Sequence, residues 1–308
     1  MFYLTFLPGS VAALLSLAYA AGAVILFVRM KNRTKWLSLI AASIGLIYLV
    51  TLVQRPSVNR HWAASQEKTT SVRNDNDHIT IDGFRHCNYR SETNFDVHYE
   101  TLEFDIDQIE SVWFLVQQFS PLEGLAHTFI SFGLATDEGP KYFSVSVEIR
   151  REVGEEYSPI RGLYRQFELL YVIGDERDLI GIRTVIRNQD RVHMYRVNAT
   201  PKESQQLFTD IAKRINKLES DPEFYHTFLN NCTNAIVFHT YDLTPEPINW
   251  MDPRIVMPGF SDRLAFSRGL IGHEGQSFDE LRKESRIDNR AKEVGLTENF
   301  STQLREGR

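Results

Sequence analysis

Two apolar runs at the N-terminus restrict what this chain can fold into more than anything that follows. Met1 to Val28 holds no charged residue, and Val11 to Val28 is rich in Ala, Leu, Val and Ile. A basic stretch with Arg29, Lys31, Arg33 and Lys35 interrupts it, and a second uncharged run follows from Trp36 to Val53, closed by Gln54, Arg55 and Pro56. A helix of roughly 20 apolar residues spans the hydrocarbon of a bilayer, with about 17 the lower limit. Residues 1–54 are therefore expected to form a two-helix transmembrane hairpin, with helices over about 9–28 and 36–53. Ala18-Tyr-Ala20 has the form of a signal-peptide cleavage box, but the N-terminus lacks the basic n-region and the apolar stretch continues past the box. A retained hairpin is the expectation. Its basic turn stays cytoplasmic, so both termini and everything after Gln54 lie on the far side. Trp36 and Tyr48 are placed to sit near the membrane interfaces.

Beyond the hairpin the chain is polar and aromatic-rich, and the formal net charge of −6 gives no basic footprint for nucleic acid. Only Cys87 and Cys232 carry thiols, too few for a disulfide scaffold and without zinc-site spacing. A single disulfide between them stays open in an oxidising compartment. Neither a metal nor an organic cofactor is called for.

Residues 55–76 read as a linker, and from residue 77 strand-like alternation takes over. Strands are expected at His78–Asp82, Phe84–Arg90, Phe95–Phe104, Val112–Gln118, Phe167–Ile173, Ile180–Ile186 and Val192–Val197. The clearest hairpin joins His127–Leu134 to Tyr142–Arg150 through a turn holding Asp137, Gly139 and Pro140. One face carries Ile130, Phe132, Leu134, Phe143, Val145, Val147 and Ile149; the other carries His127, Ser131, Gly133, Ser144, Ser146 and Glu148. That pattern predicts a half-buried pair, dry on one side and polar on the other. With the turn centred at Asp137/Glu138, opposed residues have numbers summing to about 275, which makes His127 and Glu148 cross-strand neighbours about 5 Å apart at Cβ.

Thr200-Pro201-Lys202-Glu203 is a capping box with proline at the first helical position, and the helix it opens runs to about Leu218 with Leu207, Ile211 and Ile215 on one face. After an aromatic segment, Phe224 to Phe228, the asparagines Asn230 and Asn231 are placed to cap a second helix that begins at Cys232. A proline-rich stretch follows, with Pro245, Pro247, Pro253 and Pro258. Residues 261–308 are a charged extension, helical or partly disordered.

Cys232 at a helix N-terminus sits among free N–H groups and at the positive end of the dipole, which stabilise a thiolate, the form competent as a nucleophile. The same context also suits a small buried hydrophobe. His127 beside Glu148 has the form of a general base held by an acceptor, with the carboxylate favouring the imidazolium of an ion pair. It equally suits a surface histidine near a surface glutamate. His226, six residues before Cys232, is the alternative base. Arg150 and Arg165 are candidate contacts for a phosphate headgroup or carboxylate. Asp175 to Asp178 reads as a turn.

An ordered set of motifs now resembles a family. His127-Thr-Phe-Ile-Ser131-Phe-Gly133, Ser146-Val-Glu148-Ile-Arg150, Gly162-Leu-Tyr-Arg165-Gln-Phe-Glu168, Glu176-Arg177-Asp178, and Phe224-Tyr225 through Asn230-Asn231-Cys232-Thr233 are similar to the Lnb-type periplasmic domain of bacterial lipoprotein N-acyltransferases and other membrane proteins. The His-before-Cys order also resembles the circularly permuted branch of the papain-like, NlpC-type superfamily. The resemblance implies an α+β fold, a permuted papain-like domain over residues 77–260 with an antiparallel sheet and packed helices. It implies Cys232 as nucleophile, His127 as base, Glu148 as third member, and Asn230, Asn231 and Tyr225 as oxyanion or cap candidates.

In the enzymes of that family the membrane helices follow the domain, whereas here they precede it, so the acceptor can differ. The implied activity moves an acyl chain from a phospholipid through a Cys232 thioester to an amine, in the manner of a lipoprotein N-acyltransferase at the bacterial inner membrane. A cysteine amidase or peptidase acting on peptidoglycan or envelope protein would use the same dyad. A non-catalytic envelope module would not need it.

Overall fold

The computed structural model describes residues 9–187, 190–240, 248–250 and 252–307. Pro245 and Pro247 of the proline-rich stretch lie outside the described residues.

Helix α1 (Gly9–Arg29) and helix α2 (Arg33–Leu52) run antiparallel. The Asn32 side chain caps α2 by accepting the Lys35 N–H at 3.1 Å, which starts the helix ahead of the expected Trp36. Trp36 Nε1 donates to Ala23 O at 3.0 Å, its ring meets Phe27 edge-on at 4.9 Å, and Tyr19 bonds Ser43 at 2.5 Å. Of the two, α2 is long and apolar enough to cross a membrane; the apolar part of α1 among the described residues, Leu14–Arg29, is shorter.

The rest is an α+β domain on an eight-stranded, mostly antiparallel sheet. Its strands are β1 (Ser71–Asp75), β2 (His78–Tyr89), β3 (Phe95–Asp105), β4 (Ile109–Gln118), β5 (His127–Leu134), β6 (Lys141–Arg150), β7 (Glu168–Asp175) and β8 (Arg191–Arg196). Their order is β1-β2-β7-β6-β5-β4-β8, with β3 on the other edge of β2. The parallel contact of β2 with β7, at Arg85 and Gly174, is close: a Cβ on Gly174 would meet Arg85 O at 2.5 Å, so only glycine fits. The β5–β6 register pairs Phe129 with Ser146 and Leu134 with Lys141, the pairing expected from the turn.

Helix α5 (Pro201–Ser220), after the short helices α3 (Pro159–Leu163) and α4 (Glu176–Leu179), carries the expected Thr200/Glu203 capping box. It packs with α6 (Cys232–Thr240) on one face of the sheet. Phe132 and Phe143 of the sheet, Phe104 of β3 and Phe208 of α5 form an aromatic cluster with ring centroids 5.4 to 5.8 Å apart. Burying one such ring stabilises by about 1.5–3 kcal/mol.

Three expectations are corrected. The segment 55–76 is no linker. Arg60 pairs with Glu152 and Glu168, Trp62 and Gln66 are buried, and residues 71–75 are strand β1. Only Val72 of that strand is buried, so no alternation betrays it. The signal lies in the Asn76-Asp77 turn, where both residues have positive φ (52° and 71°), as a two-residue hairpin of the primed type requires.

Ile180–Ile186 is not a strand. Asp175 caps α4 by accepting the Arg177 N–H at 2.7 Å, and the chain continues into a π-helical turn, Ile182–Ile186. The β-branched residues there mimic a strand, but the helix is nucleated upstream at the four charged residues read as a turn.

The polar face of the β5–β6 hairpin is not exposed. Ser131, Ser144 and Ser146 are fully buried, because Phe129 on that face packs against a second core with Ile180, Ile287, Phe300 and Leu304.

That second core also places residues 261–308, which are ordered and helical: after α7 (Pro253–Val256) come α8 (Ser261–Ser267), α9 (Phe278–Glu284), α10 (Asp288–Val294) and α11 (Phe300–Gln303). Arg305 at their end makes a two-pronged ion pair with Glu176, at 2.6 and 2.7 Å, and stacks 3.7 Å over Tyr142.

Candidate active site

The end of the sheet where β5 begins and β6 ends opens into a cleft of about 910 Å³. Cys232, His127, Glu148 and Tyr225 all line it, together with Arg85, Arg151, Arg183 and Arg187.

Cys232 is the first residue of α6. Asn231 is its cap: Asn231 Oδ1 accepts the Asn234 N–H at 2.9 Å, and the Asn231 N–H donates to Asn234 Oδ1 at 3.2 Å. The Asn231 amide donates to Thr227 O, and the Asn230 amide donates to Phe224 O at 3.0 Å and Glu223 at 3.2 Å. Both side chains are thus spent on shaping the loop that delivers Cys232. The first N–H groups of α6 have no helical acceptor, and the dipole's positive end lies beside the sulfur. The Thr128 N–H donates to Cys232 Sγ at 3.4 Å, and Thr128 bonds Thr233 hydroxyl to hydroxyl at 3.0 Å. These two contacts bring the sulfur to the residue next to His127.

His127 is held from two sides. Its Nε2 is hydrogen-bonded to Ser146 Oγ at 2.7 Å, and its ring stacks on Phe129 at 5.6 Å. Burial, reinforced by the Arg183 and Arg187 charges and only partly opposed by Glu148, pushes its pKa down to about 3. The imidazole is therefore neutral near pH 7 and holds a proton only weakly.

Glu148 is not the partner of His127 that the strand register suggested. It pairs with Arg183 NH2 at 2.8 Å and takes a longer bond of 3.4 Å from Gln66. Burial works against its charge, but the Arg183 and Arg85 guanidiniums overcome that and hold the carboxyl well below the usual carboxylate range. Burial and the Arg183 charge outweigh the pull of Glu148 at His127, so the ion pair expected there is replaced by a neutral imidazole.

The residue hidden from sequence reasoning is Arg183. It lies in the π-helical turn that was expected to be a strand, donates to Gln117 at 2.8 Å and to Leu179 O at 2.5 Å, and stacks 4.9 Å from Phe129. Arg85 is likewise committed, with bonds of 2.7 and 3.1 Å to Asp178, which Tyr89 also serves at 2.9 Å.

Tyr225 is buried, and the Tyr157 ring stands edge-on to it at 6.5 Å. Burial, with the nearby Cys232 and Tyr157, pushes its pKa well up, so it stays a proton donor.

The remaining candidates fall elsewhere. Arg150 is buried outside the cleft, donating to Gln66 O and Glu67 O at 2.9 and 2.6 Å and stacking 4.2 Å over Trp62; its neighbour Arg151 lines the cleft instead. Arg165, at φ +53°, lies close enough to His226 for its charge to lower that imidazole's pKa, after burial. His226 itself accepts two backbone N–H groups, of Phe228 and Leu229, both at 3.2 Å, and does not line the cleft. Both cysteines are free; burial, then the Asp178 carboxylate, pushes the Cys87 thiol up to about 12.

A family model described as the Lnb N-terminal periplasmic domain matches residues 95–257, more than half of the chain, and the match includes His127, Ser146, Glu148, Arg183 and Cys232. No curated protein and no solved structure matches the chain.

Proposed function

This chain belongs to the Lnb N-terminal periplasmic domain family, and we propose that it is a membrane-anchored cysteine acyltransferase working on the periplasmic side of the bacterial inner membrane. The observation that carries this reading is the placement of Cys232, at the first turn of α6 with its sulfur on the Thr128 N–H, in one cleft with His127. On this reading α1 and α2 both cross the membrane as a hairpin. The basic turn from Arg29 to Lys35 is cytoplasmic, and both termini are periplasmic.

The chemistry runs in two balanced steps. Neutral His127 takes the Cys232 thiol proton as sulfur attacks the ester carbonyl of a phospholipid. The carbon–oxygen bond breaks, the proton passes to the leaving alkoxide, and a thioester remains. An amine, such as a lipoprotein N-terminus, then attacks the thioester. His127 removes the amine's proton and returns it to the departing sulfur, leaving an amide and the free thiol. The Cys232 N–H and the Tyr225 hydroxyl are the donors for the oxyanion. Ser146, rather than Glu148, fixes the orientation of the imidazole. The superfamily reading, a permuted papain-like fold, agrees with a histidine on a strand and a cysteine opening the helix packed against it.

One observation favours a second reading. Much of the cleft wall away from Cys232 is charged, with Arg85, Glu148, Arg183 and Asp190, which suits a peptide or peptidoglycan stem better than an acyl chain. The same dyad would then hydrolyse an amide.

The test is the intact mass of the detergent-solubilised protein after incubation with phospholipid. A gain of one fatty acyl chain that requires Cys232 and is released by hydroxylamine is the expected result. No adduct across several lipids, with Cys232 still reactive to a thiol probe, would move the assignment to amide hydrolysis.

A further inference from the structure

Large apolar side chains stand out in water on three loops at the cleft end of the domain. Leu122 (67% exposed) and Phe119 belong to the β4–β5 loop, Val153 (73%) and Ile160 to the β6–β7 connection, and Phe228 with Leu229 (74%) to the loop before Cys232. The loops are joined to one another. Phe119 meets Tyr157 edge-on at 6.3 Å, Tyr157 meets Tyr225 at 6.5 Å, and Thr227 donates to Pro159 O at 2.6 Å. Phe119, Tyr157 and Tyr225 also line the cleft, so the apolar residues form a rim around its mouth.

The end of α2 reaches the same place. Tyr48, one turn from the end of α2, lies edge-on to Tyr164 at 6.2 Å. Tyr164 is the C-cap of α3, between Ile160 and the start of β7. Ser57, five residues beyond α2, donates its N–H to Glu168 at 3.1 Å. The end of α2 therefore lies beside the part of the rim that carries Ile160. A soluble face with this much exposed apolar surface needs a cover, and the cover continuous with α2 is the lipid itself.

We propose that the rim loops 119–125, 153–160 and 228–229 dip into the outer surface of the bilayer that α2 crosses, seating the mouth of the cleft on the lipid. Aromatic and branched side chains insert at the boundary between headgroups and acyl chains, as in interfacial proteins. A lipid then passes from the leaflet into the cleft without crossing water. The proposal rests on α2 as a membrane anchor and not on any reaction of Cys232.

The experiment places nitroxide labels on the full chain reconstituted in phosphatidylethanolamine–phosphatidylglycerol vesicles, with the native cysteines replaced by serine. Single sites are Leu229→Cys, Leu122→Cys and Val153→Cys on the rim, Leu46→Cys in α2, and Glu138→Cys at the far tip of the β5–β6 hairpin. Collision rates with oxygen, which concentrates in lipid, and with a water-soluble nickel chelate report each position. The expected result is an oxygen-to-nickel ratio several-fold higher at the rim than at Glu138, approaching that of Leu46. Rim ratios equal to that of Glu138, with Leu46 in lipid, would overturn the proposal. Rim labels shielded from both reagents would overturn it too, because a protein partner would then cover the rim.

Discussion

Ser146 Oγ lies 2.7 Å from His127 Nε2, on the neighbouring strand of the hairpin and fully buried. That hydrogen bond is the only one an imidazole nitrogen of His127 makes among the described residues, and it leaves Nδ1 without one. Replacing Ser146 with Ala should lower the rate of Cys232 acylation by about 10- to 100-fold, a part of the roughly 10²–10⁴-fold that a positioned proton-transfer group supplies. Thermal stability should change little. Single-turnover acylation followed by mass spectrometry, beside Ser146→Thr as a rescue, separates orientation from packing.

The pKa of about 3 at His127 has consequences for pH dependence. The acid limb of the acylation rate should be absent between pH 5 and 8. A histidine with an ordinary pKa near 6.5 would produce a clear inflection there. A pH–rate profile with that inflection would remove the neutral-base mechanism.

Stability should follow the same groups. Burial lowers the pKa of His127 to about 3 and of His193 and His239 to about 4 in the folded chain. Below the ordinary value near 6.5 the unfolded chain binds protons that the folded chain does not. Stability is therefore full above about pH 6.5 and falls as pH drops from there toward the folded values. Each histidine contributes up to about 2 kcal/mol of that loss at pH 5. Urea unfolding at pH 7 and pH 5 measures the loss, and His193→Phe should reduce it.

Arg183 neutralises Glu148 inside the cleft wall at 2.8 Å. Arg183→Met leaves a buried carboxylate without its partner and should cost about 3–5 kcal/mol. Glu148→Gln in the same chain should return much of it. The single variant should also raise the pKa of His127, since a lowering charge is gone while Glu148 remains. Proton titration of His127 by NMR distinguishes this from a merely structural effect.

The last turn of the chain should matter as much as the core. Glu176 is fully buried and takes both prongs of Arg305, so Arg305→Ala is expected to destabilise by about 3–5 kcal/mol. Removing residues 297–308 should do more, because Phe300 and Leu304 leave the second core. Denaturant midpoints of the two variants test the order.

Legibility in the sequence followed local chemistry. The Thr200/Glu203 box, the β5–β6 register and the start of α6 at Cys232 were readable because each depends on residues a few positions apart. Cys232, His127 and Glu148, candidates picked out by residue type and context, line one cleft. What failed depended on tertiary neighbours. The Glu148 carboxylate lies on the expected face, but Arg183, carried by a π-helical turn disguised by Ile180, Ile182 and Ile186, reaches it in place of His127. The serines of that face read as solvated only because the helices that cover them come from a charged segment more than 130 residues later. Strand β1 carries one buried side chain and depends on its turn for recognition.

The connection between α2 and the domain is short: Val53 to Pro56 separate the end of the helix from Ser57, already bound to Glu168. Four residues reach at most about 14 Å. An enzyme on a long leash sweeps a volume and can search the envelope for distant partners; this domain has no such radius. On the proposed reading, with α2 in the bilayer, it samples chiefly what drifts past it in the plane of the leaflet. Encounters are then counted per area of membrane rather than per volume, and two-dimensional crowding, more than concentration in the surrounding fluid, governs how often the cleft is filled.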